Sequence, residues 1–424
     1  MFIMNWQAVR NLTVVQVGAL LALLIVAVMP NFGLKYGASP ALPALLLAFL
    51  GGWLLWKERA RLFEAPAARR LTLVFALLLL PVLISIPESY RPRVSASVAG
   101  MLVVYYLTGL ALVRVLRGDA ERTWLAKWIL VVLAFWIADS MVQYLFGVDL
   151  FGVPRGADQR VLGPFYNSLR QPLLIALLLP VALWVLQRRG ALPAVLFLVA
   201  AAFIATLGAV RMVLVMLVLV AAAFYLRLPR WRFKWVAMVL ALIAVLVAIG
   251  LTPALKERLT RFTEIRELNF ATVDRLLSYR AIIWETAGHM LVARPLNGVG
   301  VGGFEKAYPD YATRPDDPFR DGTARVHHAH QVYVAFAAEA GLPGLLGLIA
   351  ALALGVKWYR GAPPARRDQA WPYALGLFVY FFPINTQPPL YHGNWLFPLI
   401  LLLFAAMLAA LDEPALGART PERV

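Results

Sequence analysis

Apolar stretches about as long as a bilayer is thick recur along this chain, and they restrict its fold more than any other feature. A helix needs about 20 mostly apolar residues to cross the hydrocarbon core, with its backbone polar groups bonded within the segment. Twelve stretches fit, near residues 12–30, 39–56, 71–86, 96–113, 124–146, 170–187, 191–207, 210–226, 234–251, 331–356, 371–388 and 393–411. Composition agrees: 61% of the residues are hydrophobic and 15% charged, against about a quarter charged in soluble domains. The prediction is an all-α, polytopic membrane protein of about 12 transmembrane helices. The first apolar run is too long, and too poor in small residues at its end, for a cleavable signal. It reads as the first span.

The net charge of +17 points to loop asymmetry, since no Lys/Arg run with interleaved aromatics makes a nucleic-acid footprint. Alternate loops hold 22 of the 40 basic residues, and the short loops opposite hold 7. The rule that basic loops stay inside then puts both termini in the cytoplasm. All five histidines face outward, into the periplasm of a Gram-negative cell. Membrane lipids are the expected anionic partners. Without cysteine, disulfides, thiolate metal sites and a cysteine nucleophile are excluded.

Three parts follow: residues 1–251 with spans one to nine, a periplasmic segment over 252–330, and 331–424 with three spans and a short cytoplasmic tail. The long segment carries 11 basic and 10 acidic residues. Residues 253–268 read as a charged amphipathic helix. A second helix is expected from Thr272, as N-cap, to about Val292, apolar enough on one face to lie along the membrane. Asn297–Phe304 (NGVGVGGF) breaks the periodicity, and Tyr308–Thr323 is loop.

Three histidines, His327, His328 and His330, crowd the point where this polar segment meets the tenth apolar stretch. A histidine there can exchange protons near neutral pH while facing a greasy substrate. Sequential neighbours make a poor metal site, so none is assigned. Gly298 to Gly303 imitates a dinucleotide fingerprint but lacks a βαβ unit; its amides suit an anion-binding turn or a simple flexible one. Asp316 and Asp317 read as solvated loop. Arg211 opens a span, Arg280 sits in an apolar helix and Arg160 in an outer loop. Asp139, inside a span, is a candidate counter-ion for one of them. Outward-facing arginine plus histidine suits a pyrophosphate-bearing substrate: guanidinium neutralises the leaving group and imidazole takes a proton from an attacking hydroxyl.

His330-(x)8-Glu339-x-Gly341-x-x-Gly344 resembles the signature of the O-antigen ligase/polymerase superfamily of bacterial inner-membrane glycosyltransferases, with Gln331 where relatives often have Asn. Arg280-(x)3-Trp284, Arg294-Pro-Leu-Asn-Gly298-Val-Gly300, Arg211 and the run Arg160 to Asn167 are similar to further motifs of that family, in the same order. Val210 and Ser168 depart from its usual serine and proline. The resemblance implies a GT-C-like fold and an inverting glycosyl transfer without cofactor or metal, from undecaprenyl-diphosphate-linked O-antigen to a sugar hydroxyl of lipid A–core. His330 would be the general base, Arg211 and Arg280 would bind the donor diphosphate, and Arg160 would position substrate. Glu339, nine residues or about 13 Å further along a helix, is expected to be structural. O-antigen polymerase, a protein O-oligosaccharyltransferase and a lipid-linked sugar flippase remain alternatives.

Overall fold

The structure is a computed structural model that describes residues 13–30, 39–156, 158–166, 170–228, 234–260, 269–321, 324–386, 388–391 and 395–412. Within these the chain is all-helical: α1 (Val14–Ala27), α2 (Ala41–Lys57), α3 (Arg59–Glu64), α4 (Pro66–Ser85), α5 (Pro92–Val115), α6 (Asp119–Phe146), α7 (Arg170–Gln187), α8 (Ala191–Leu207), α9 (Arg211–Arg227), α10 (Lys234–Gly250), α11 (Pro253–Thr260), α12 (Phe270–Leu276), α13 (Arg280–Ala293), α14 (Phe304–Tyr311), α15 (Val332–Gly361), α16 (Pro364–Tyr380) and α17 (Leu396–Asp412). A helix occupies each of the twelve apolar stretches. Five of them, α4, α5, α6, α7 and α15, are long and apolar enough to cross a membrane.

The bundle is built around α7. It is apolar on all sides, and every residue from Gln171 to Val185 is buried, as expected of a helix with no polar face to turn outward. It packs against α6, α8, α9 and α16, while α17 packs against α16, α5 and α4. A cleft of about 570 Å³ lies between α4, α15, α16 and α17; Tyr333 and Phe381 line one end, Tyr359 and Arg360 the other, and Phe378, Phe397 and Phe404 its wall.

One helix is deliberately incomplete. In α15, Gly341 leaves helical geometry at φ 66° and ψ −167°, and Pro343 has no amide to give to the carbonyl four residues back. Three backbone groups are thereby released, and the 295–300 loop takes all three. Leu342 N donates to Pro295 O (2.7 Å), while Ala338 O and Glu339 O accept from Val299 N and Gly300 N (both 2.9 Å). The fit requires Gly298: at φ +61° a Cβ there would lie 2.5 Å from the Glu339 carbonyl carbon. Satisfying buried backbone groups in this way clamps the long segment onto α15.

The single helix expected from Thr272 to Val292 is instead two. Asn269 is the N-cap, accepting from Thr272 N at 2.9 Å, and α12 ends at Leu276. Ser278 and Tyr279 then turn left-handed, at φ 55° and 62°. Asp274 makes the break stable, because its Oδ1 accepts the Ile282 amide (3.0 Å) at the start of α13. The expected helix over 253–268 begins as α11, and its remainder lies outside the described residues, as do His392, Asn167 and Ser168.

Candidate functional site

The break before α13 assembles the site. Arg211, first residue of α9, reaches into the turn: Nη1 donates to Leu276 O (3.0 Å) and Nη2 to Ser278 Oγ (2.7 Å). The same turn ends at Arg280, which is not inside an apolar helix as the sequence suggests but at its first position, with Nη1 3.5 Å from Leu277 O. Two arginines 69 positions apart thus share one turn. Next along the helix comes Trp284, four residues after Arg280 and so on the same face. Its Nε1 donates to Ala329 O at 2.9 Å, binding that face to the histidine segment directly before His330.

His330 itself adopts φ +52°, a left-handed conformation that costs a non-glycine residue about 1–3 kcal/mol and persists only where its surroundings impose it. Its amide donates to His328 Nδ1 (3.1 Å), and the two rings meet edge to face with centroids 4.1 Å apart. Gln331 closes the other side. It is the N-cap of α15, accepting from Val334 N (2.7 Å), and donates from Nε2 to Pro383 O (2.9 Å). Tyr333, the second residue of α15, donates to Phe381 O and lines the apolar cleft.

Arg160 lies in the loop between α6 and α7. It is 7% exposed, and its Nε lies 2.5 Å from Asp158 Oδ2. The next residue, Val161, donates to Leu207 O (3.3 Å), four positions before Arg211. Asp139 is not the counter-ion of any of these arginines in the described contacts. Its Oδ1 accepts Leu150 N at 2.9 Å, fastening the loop after α6.

The amides of the glycine loop are taken by a side chain of the protein itself, the Glu339 carboxyl. This fully buried carboxylate accepts from Gly302 N (3.2 Å) and Phe304 N (3.3 Å) through Oε1, and from the Tyr391 hydroxyl through Oε2. The expected structural role of Glu339 is what the geometry gives. Asp317 corrects a sequence expectation: far from solvated, it is 6% exposed and accepts from Tyr308 Oη and Phe319 N, both at 2.9 Å. Burial first, and the Asp317 charge after it, push the Tyr308 phenol above its ordinary pKa, so it remains a donor. Asp316 is exposed. His289 Nδ1 lies 3.2 Å from Tyr311 O, and His327 Nδ1 lies 3.3 Å from Glu305 Oε2.

Residues 194–349 match the family model described as O-antigen ligase. This region is similar to an O-antigen ligase family domain. The matched region runs from α8 to the middle of α15 and contains Arg211, Arg280, Trp284, His330 and Glu339; Arg160 lies before it. No curated protein matches the chain. Sequence reasoning passed over Asp274, Ser278 and Tyr391 because they act across loops; Trp284 was visible only as part of the resemblance.

Proposed function

We propose that this protein is an O-antigen ligase, transferring polysaccharide from undecaprenyl diphosphate to a sugar hydroxyl of lipid A–core with inversion and without a metal. The observation that carries the reading is the joining of Arg211, Arg280 and the His330 segment through one turn and one helix, within the matched region. In this reading His330 takes the proton of the acceptor hydroxyl as its oxygen attacks the anomeric carbon. The glycosyl–phosphate bond breaks as the new bond forms, and the diphosphate leaves with its charge held by Arg211 and Arg280. Arg160 positions substrate. The apolar cleft that reaches Tyr333 suits a leaving group anchored to lipid. The twelve apolar helices cross the inner membrane with both termini cytoplasmic, and the site faces the periplasm.

The test mixes purified protein, undecaprenyl-diphosphate-linked glycan and lipid A–core in EDTA and resolves the products on a gel. A ladder on lipid A–core that disappears in His330→Ala supports the ligase. Lengthened lipid-linked glycan with unmodified acceptor makes the protein a polymerase, and transfer by His330→Ala at the wild-type rate refutes the role of His330.

A further inference from the structure

We propose that His328 is a positioning residue for His330, acting as the acceptor of a two-residue turn that holds the base in its left-handed conformation. This rests on reading His330 as the general base.

A residue at φ +52° without glycine's freedom stays there only if its own backbone is tied. The flanking ties are those of Ala329 to Trp284 and of Gln331 to Pro383 and Val334. One tie on His330 itself is the bond from its amide to His328 Nδ1. A side-chain acceptor taking the amide two residues on is the arrangement that Asn and Asp make in Asx-turns, here made by an imidazole. An accepting Nδ1 carries no proton, so the neutral His328 ring has its hydrogen on Nε2. The ring also lies against the His330 imidazole, centroids 4.1 Å apart. His328 therefore fixes both the backbone turn and the placement of the neighbouring ring, and proton transfer depends steeply on such placement.

The atoms suggest their own control. Asn at 328 can put Oδ1 where Nδ1 stands, keeping the acceptor and losing the ring. Phe keeps the ring and loses the acceptor. Full-length wild type, His328→Asn, His328→Phe, His328→Ala and His330→Ala would be assayed for transfer from the lipid-linked glycan over a range of lipid A–core concentrations. The expected result is a fall in kcat of about 10–100-fold for His328→Phe and His328→Ala with KM little changed. His328→Asn should recover to within about threefold of wild type. The melting temperature of each purified variant separates misfolding from a lost turn, and the Phe/Asn comparison decides even if the Ala variant does not fold. His328→Phe transferring as well as wild type, or His328→Asn as poorly as His328→Phe, overturns the proposal. If His330→Ala is fully active, the failure belongs to the parent reading instead.

Discussion

Replacing Glu339 by Ala should release the glycine loop while leaving the bundle folded, and the size of the effect can be worked from its bonds. Oε1 satisfies the amides of Gly302 and Phe304, at 3.2 and 3.3 Å, and Oε2 satisfies the Tyr391 hydroxyl. A donor left buried and unpaired costs about 1–3 kcal/mol, so the two amides together lose about 2–6 kcal/mol of local stability. The backbone bonds of Val299 and Gly300 to α15 do not depend on the Glu339 side chain and hold the rest of the loop. Exchange speeds tenfold for each ~1.4 kcal/mol of local opening energy lost, so the amides of Gly302 and Phe304 should exchange at least about tenfold faster in hydrogen–deuterium exchange. The amides of α7, packed far from this loop, should keep their rates. Glu339→Gln keeps one carbonyl acceptor and should fall between the two. Wild-type exchange at residues 301–304 in the Ala variant would show that the carboxylate does not hold this loop.

Two further outcomes follow from the same contacts. Gly298→Val places a Cβ 2.5 Å from the Glu339 carbonyl carbon and asks valine to hold a positive φ, so the loop should detach from α15, with faster proteolysis of the 294–304 region and transfer reduced at least about tenfold. Arg211→Lys exchanges two bonding nitrogens for one and Ser278→Ala removes one acceptor; each should slow transfer by about 3–30-fold, and the double variant should be little worse than the single ones, because they break one shared contact. Additive losses would mean that Arg211 does not act through this turn.

How much of this can be read from the chain alone depends on the range of the force involved. The twelve apolar stretches were legible because their length and uniformity are local properties, and α7 shows it: a segment with no polar face ends up wholly buried. The break at Ser278 and Tyr279 was not legible. The sequence from Val273 to Trp284 keeps a helical spacing with neither Gly nor Pro to interrupt it, and what interrupts it is a side chain from each of two places, Asp274 capping Ile282 and Arg211 bonding the turn. Asp139 misled for the same reason. A buried carboxylate calls for a partner, but the sequence does not say whether that partner is a guanidinium or, as here, the amide of Leu150.

The glycine loop and the kinked helix explain one another. Gly341 and Pro343 release three backbone groups of α15, and a loop can meet all three only if it approaches without a side chain at Gly298. Glu339 sits on the same turn and closes the far end of that loop. The clamp fixes where the loop leaves α15. From the loop's near end the chain runs back through α13, whose first two turns carry Arg280 and Trp284; from its far end it runs forward through α14 to the histidines. Both arms are therefore measured from one anchor, and the bond from Trp284 to Ala329 joins them again at His330. A closed circuit of this kind holds His330 and Arg280 in register although they belong to separate elements, and Arg211 joins it through the turn before α13. It also places Gly298, Glu339, Gly341 and Pro343 in the part of the structure to which the His330 segment is tied.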